Sequence, residues 1–149
     1  GLLKESFYVS LHFRHDFSLR DVLNRLVPDK ENILKQWVNF TWNHLHRHGI
    51  YHMDYSPGNT LIQKVNDQYN FAVVDLNRMM FIPVGFEKGI ENFRQLDTDE
   101  DSLRLIATEY ANLCGESPGK AIELLLKFDK SNKAFRERKN KLNKWRGKD

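Results

Sequence analysis

Apolar and polar positions change rhythm several times along this chain, and each change predicts an element. Residues 7–13, Phe-Tyr-Val-Ser-Leu-His-Phe, alternate and are rich in β-forming side chains, which predicts a strand. Ser18-Leu-Arg-Asp21 has the form of a capping box and predicts a short helix through about Leu26, closed by Pro28. Asp29 opens a longer helix to about His48. Leu34, Trp37, Val38, Thr41 and Leu45 recur there at helical spacing, so one face packs on a core, and Gly49 suits the position just past the end.

The rhythm then breaks, and Tyr51 to Asn59 reads as a loop containing Ser-Pro-Gly. Thr60–Val65 and Tyr69–Val74 read as the two strands of a hairpin that turns at Asn66-Asp67-Gln68. The run Phe71-Ala-Val-Val74 is wholly apolar, which predicts a buried strand ending at Asp75. Residues 76–97, with Pro83, Gly85 and Gly89, predict a meandering loop. Thr98-Asp-Glu-Asp101 is a second capping pattern, opening a helix to about Leu113, with Gly115 beyond it. Ser117-Pro118 places an N-cap before a proline at N1 and starts a helix to about Phe128. The basic segment after Ser131 predicts a separate last helix.

The composition, 40% hydrophobic and 29% charged over 149 residues, fits one globular domain and excludes a disordered or fibrous chain. No apolar run approaches the roughly 18 residues of a membrane span. The single cysteine, Cys114, excludes an internal disulfide framework and a cysteine-based zinc cage; it predicts a reducing, cytoplasmic compartment and an inert buried thiol. The net charge of +3 is unevenly spread. Residues 127–149 hold 10 Lys/Arg against 3 Asp/Glu, whereas the other 126 residues hold 13 against 17. The basicity therefore belongs to the C-terminal segment.

The stretch that carries chemistry is His52-Met-Asp54-Tyr-Ser-Pro-Gly-Asn59, followed by the hairpin and Asp75. Phosphoryl transfer to an alcohol needs a carboxylate to orient the hydroxyl and take its proton. It also needs oxygen ligands for the magnesium that neutralises a triphosphate. Asp54 can be that base. Asn59, five residues on, can turn back through Pro57-Gly58 so that its amide oxygen ligates a metal. Asp75, brought alongside by the hairpin, supplies a carboxylate to the same metal.

The loop and hairpin resemble the C-terminal lobe of the protein-kinase-like superfamily, and within it the lipopolysaccharide core kinases, which phosphorylate Kdo or heptose sugars. Their loop typically reads H-G-D-x-x-x-x-N-I-L, and here His52-Met-Asp54 runs through Asn59-Thr-Leu-Ile62. They often carry Asp-hydrophobic-Asp/Asn-Arg after the hairpin, and here stands Asp75-Leu-Asn77-Arg78. The resemblance implies an α+β, mostly helical lobe over residues 1–149, with a hinge strand region at 1–17, a catalytic loop and metal-binding hairpin at 49–78, and a basic helix at 127–149.

It further implies ATP and Mg2+ as cofactors. Asp54 is then the base, Asn59 and Asp75 the metal ligands, His52 and Arg78 supports of the loop, and Ser10, Leu11 and His12 the hinge that meets adenine. The acceptor is a sugar hydroxyl of the lipopolysaccharide inner core, at the inner face of a bacterial inner membrane. Met53 replaces the usual glycine and Tyr55 a usual aliphatic residue, so both are expected beside the acceptor. No Gly-rich phosphate loop and no strand lysine precede the loop, so the N-terminal lobe is expected to be missing and the chain alone inactive. Two other readings stand beside this one. A small-molecule kinase of the aminoglycoside or choline type shares the loop but often follows it with Asp-Trp-Glu. A non-catalytic pseudokinase or binding module would not need all three polar residues.

His44 and His48 stand at i,i+4, but Leu45 occupies the glutamate position of a zinc motif. With His46 they read as a solvated helix end. The basic tail reads as a packed helix with a solvated basic face. Phe135, Leu142 and Trp145 among its charges also suit an anionic membrane surface, and nucleic acid ranks third.

Overall fold

A computed structural model of the chain describes residues 12–24 and 26–145. These form a mostly helical α+β unit with a small antiparallel sheet. The strand expected over residues 7–13 falls mainly outside the described residues, and residues 12–15 are irregular. The first strand, β1, is Phe17–Ser18, followed by α1, Leu19–Leu23. The capping interaction is made by Asp21, whose carboxylate accepts from the backbone N–H and the hydroxyl of Ser18, both at 2.7 Å.

The long helix after Asp29 is interrupted. Regular α2 covers Lys30–Phe40, a π-helical turn covers Thr41–Leu45, and a 3-10 turn covers His46–His48. Thr41 Oγ1 bonds back to the Trp37 carbonyl at 2.9 Å, and such back-bonding bends a helix where a wider turn can follow. The turn rotates His46 from the expected solvated end into the interior, where it is 2% exposed. His44 and His48 remain exposed.

Strands β3, Thr60–Val65, and β4, Gln68–Val73, pair in register from Thr60↔Val73 to Val65↔Gln68, and β1 adds on the far side of β3. The turn is Asn66-Asp67, with Asn66 left-handed at φ 56°, a conformation asparagine tolerates. The apolar run at the end of β4 is not buried: Phe71, Ala72 and Val73 are half-buried and Val74 is exposed, because β4 is an edge strand. Two further strands lie where loops were expected. β2, Ile50–His52, pairs with β5, Met79–Phe81, placing His52 opposite Met79. Each is only three residues long, too short for periodicity to register.

Within the expected meander also lies α3, Phe86–Asn92. It is followed by α4, Glu100–Cys114, capped by Asp99, which accepts from the Ser102 N–H at 2.9 Å. Lys30 binds the same Asp99 carboxylate at 2.8 Å, joining the start of α2 to the start of α4. The helix from Pro118 does not stop near Phe128. It runs unbroken as α5, Pro118–Trp145, because no glycine or proline follows its first two residues and the Asp129–Lys133 ion pair at 2.8 Å bridges the expected gap. Cys114 is only half-buried; burial and Glu116 push its thiol up to about 11, which keeps it protonated.

The core is aromatic. Trp37 stacks on Tyr55 at 5.4 Å and meets Phe93 edge-on at 5.4 Å, and Phe93 meets Tyr110 edge-on at 5.3 Å. Each such pair adds about 0.5–1.5 kcal/mol beyond its buried area. Gly89 on α3 lets Tyr110 close this cluster, since a Cβ there would overlap the tyrosine hydroxyl and ring. In an ordinary helix Gly→Ala is stabilising by about 0.5–1 kcal/mol. Here Gly89→Ala is expected to lower stability by about 1–3 kcal/mol through overpacking. Thermal unfolding of the variant checks this, and a raised Tm would contradict the close approach.

Candidate active site

Residues 52–59 leave β2, cross in front of the core and return through a 3-10 turn, Pro57–Asn59, into β3. Three contacts fix the path. Tyr55 is 1% exposed, and its hydroxyl shares a 2.8 Å hydrogen bond with Thr41 Oγ1. Tyr55 therefore anchors the loop in the core and does not face an acceptor; burial of an aromatic this large outweighs its exposure in a loop. Asn59 Nδ2 donates to the Asp54 carbonyl at 2.8 Å, and the Asp54 N–H donates to His52 Nδ1 at 3.2 Å.

These bonds set the free valences. With its nitrogen engaged, Asn59 keeps its amide oxygen available. The Asp54 carboxylate accepts no hydrogen bond among the described residues and lines an open cleft. Since His52 Nδ1 accepts, Nε2 carries the proton, and it donates to the Val74 carbonyl at 3.0 Å. Val74 N–H donates to the Asn59 carbonyl at 3.0 Å. The loop and the end of β4 are thus tied through both backbone groups of Val74, and Asp75 follows directly.

Asp75 is left-handed at φ 64°, ψ 52°, a conformation that costs a non-glycine residue about 1–2 kcal/mol. The surrounding bonds hold it there: the His52 bond to Val74, and the Arg78 N–H bond to the Asp75 carbonyl at 3.0 Å. The Arg78 and Asp75 side chains lie 3.9 Å apart at the surface, so their charges contribute little. Asp75 faces a second cleft of about 700 Å³ whose other walls include His12, Leu61, Ala72 and Val73. Ser10 and Leu11 lie outside the described residues. Met53 is 45% exposed, its N–H bonded to the Arg78 carbonyl at 2.8 Å.

Behind the loop stands a buried polar relay that sequence reasoning missed. The His46 ring bonds the Tyr110 hydroxyl at 2.8 Å and Asn92 Oδ1 at 3.0 Å, and Asn92 Nδ2 donates to the His52 carbonyl at 2.7 Å. Asn92 Oδ1 can only accept, so His46 Nε2 carries the proton and Nδ1 accepts from the tyrosine. Burial lowers the His46 pKa to about 4, with the Asn92 bond opposing that shift. Nothing in the spacing of three alternate histidines marks the middle one as buried; the π turn decides it.

Asn59 and Asp75 are hard oxygen donors of the kind magnesium takes. Among the described residues no group of three or more His, Cys, Asp or Glu side chains converges, so a cation here would complete its shell from water or phosphate oxygens. No protein-family model, curated protein or solved structure matches the chain.

The relay implies a pH dependence. His46 binds a proton near pH 6.5 when unfolded and only near pH 4 when folded. The unfolded state therefore gains the proton first as pH falls, and this contribution to stability, complete above about pH 6.5, is lost progressively toward pH 4. Between pH 7 and pH 5 the loss is about 2 kcal/mol. Denaturant unfolding of wild type and His46→Gln at both values checks it: the gap between them should narrow by that amount at pH 5.

Proposed function

We propose that this chain is the C-terminal lobe of an ATP-dependent kinase that phosphorylates a sugar hydroxyl of the lipopolysaccharide inner core, Kdo or heptose. One observation carries the reading. The 52–59 loop and the end of β4 border two clefts with no lining residue in common, an apolar one bearing Val74 and Asp75 and a charged one bearing Asp54, Ser56 and Pro57. A phosphoryl donor with a flat apolar base suits the first, and a hydroxylated acceptor suits the second.

In this reading Asp54 orients the acceptor hydroxyl and takes its proton as the oxygen attacks the γ-phosphorus and the bond to the β–γ bridging oxygen breaks. Asn59 and Asp75 hold Mg2+, which supplies charge neutralisation on the phosphates. His52 positions Asp54 and Asp75 through its two ring nitrogens, Arg78 closes the turn after Asp75, and the chain around Ser10–His12 borders the base.

A magnesium–ATP titration beside a turnover assay tests this. Asp75→Asn should weaken magnesium-dependent nucleotide binding to the chain. Asp54→Asn should leave binding essentially unchanged, while turnover in an enzyme pairing this lobe with a phosphate-covering lobe falls about 10²–10⁴-fold. Nucleotide binding lost with Asp54 and kept without Asp75 would reverse the two roles. Absence of magnesium-dependent binding in the wild-type chain would favour a binding module.

The far end of α5 supports a membrane-surface location for this enzyme. No helix among the described residues is long and apolar enough to cross a membrane. Yet Leu142 is 54% and Trp145 84% exposed among lysines and arginines. Attraction to anionic lipid is worth about 1 kcal/mol per basic residue at the surface and is screened by salt. Co-sedimentation with phosphatidylserine-containing liposomes should exceed that with neutral ones at low salt and converge at high salt. Equal retention at low salt would rule the location out.

A further inference from the structure

β4 has a strand on one side only. In the order β1-β3-β4 it is an edge, and Gln68–Val73 contains no charged residue, no proline and no glycine. Native edges are ordinarily blunted by lysine, proline or a bulge, because a row of unpaired N–H and C=O groups invites another strand. The direction of those groups follows from the register. Val74 gives its N–H to the Asn59 carbonyl, so residues 68, 70 and 72 turn toward β3, and Tyr69, Phe71 and Val73 turn outward.

Gln36 Oε1 accepts from the outward Tyr69 N–H at 3.1 Å and closes that end of the edge. Among the described residues, no partner takes the N–H or the C=O of Phe71 or Val73. The flanks match this neutral backbone. On one side lies a cleft of about 550 Å³ walled by Gln36, Phe40, His44 and Phe71, with the Phe40 and Phe71 rings 5.4 Å apart and no carboxylate, lysine or arginine in its lining. On the other side lies the cleft bearing Asp75, where Ala72 and Val73 meet Phe13. Val74 and Leu76 remain 36% and 45% exposed there, so apolar surface adjoins the open backbone.

We propose that a second copy of this chain covers the edge, added antiparallel, β4 to β4, about a two-fold axis at Ala72. An uncharged edge between neutral walls takes an uncharged strand, and β4 is itself such a strand, so self-pairing meets no like-charge repulsion along it. In this register Phe71 of each copy and Val73 of the other exchange both main-chain bonds, while the Gln36–Tyr69 bond stays intact. Ala72, the smallest side chain of the strand, meets its counterpart across the axis. The sheet then runs β1-β3-β4-β4-β3-β1 through both copies. A strand pair alone is small beside the roughly 1,000 Å² that a specific interface needs, so the apolar flanks, Phe40 on one side and Phe13 and Leu76 on the other, complete it. The interface does not depend on the kinase reading, because the edge is open whatever the clefts bind.

Sedimentation velocity of the 149-residue chain over a range of concentrations tests this, with a reversible monomer–dimer equilibrium expected. Val73→Pro removes an outward N–H from each copy and leaves the bonds to β3 in place. Ala72→Lys sets two like charges opposite each other at the axis. Each should weaken dimerisation about tenfold, with thermal unfolding confirming that the variants fold. Register is read by Ala72→Cys in a Cys114→Ser background. Directly opposed residues of a non-hydrogen-bonded pair hold their Cα atoms about 4.5 Å apart, within disulfide reach, so mild oxidation should cross-link the dimer. Lys64→Cys on β3, in the same background, should not cross-link.

A chain that stays monomeric at every concentration would overturn the proposal. So would a dimer that resists both Val73→Pro and Ala72→Lys, or one that Lys64→Cys cross-links as readily as Ala72→Cys, since each places the interface elsewhere. A monomer that binds an uncharged β-strand peptide, and loses it with Val73→Pro, would assign the edge to a separate strand and reject the second copy. Magnesium–ATP titration of the same samples reports separately on the kinase reading. Dimerisation through β4 without nucleotide binding would retain the interface and reject the kinase.

Discussion

Asn92 has one side chain and two obligations, and the site hangs on both being met. Its nitrogen donates to the His52 carbonyl and its oxygen accepts from His46, which in turn accepts from Tyr110. All these groups lie inside the protein, where an unpaired amide or imidazole costs about 1–3 kcal/mol. No member can turn without stranding another, so α3, α4, the π turn and the loop are locked into one mutual arrangement. His52 then passes that constraint outward to Asp54 and to the Val74-Asp75 peptide.

The aromatic cluster supplies the dry surroundings that make such a relay rigid. Tyr55 is the joint between the two. Its ring stacks on Trp37 in the core while its hydroxyl meets Thr41, the residue that starts the π turn. The same turn that buries His46 therefore also seats the loop. A low-dielectric interior strengthens each correct hydrogen bond and penalises each missing one, so the arrangement tolerates few alternatives. Asp75 can be held in a left-handed conformation because its neighbours are over-determined in this way.

Rigidity ends at the surface, where the two clefts differ in character. The edge of β4 offers apolar side chains and Asp75; the space under α5 offers cations, an aromatic ring and Asp54. α5 joins two settings: its first turns pack Ala121 and Leu125 against the core, its middle walls a cleft, and its end stands in solvent.

Much of this was legible in the residue order. The β3–β4 hairpin, the starts of α4 and α5, the apolar face of α2 and the candidate set Asp54, Asn59 and Asp75 follow from local pattern, because capping, turn chemistry and periodicity act over a few residues; the cap of α4 itself is Asp99 with Ser102, one residue beyond the expected Thr98 with Asp101. Strands β2 and β5 and helix α3 were not legible; they are short and stabilised by partners about thirty residues away. Tyr55 looked like a site residue and is core, and His46 looked solvated and is buried; Lys139 is exposed, as a solvated basic face requires, and borders a cleft as well. In each case the side chain's surroundings come from distant segments, so the local sequence fixed what each group can do chemically and tertiary packing alone decided what it meets.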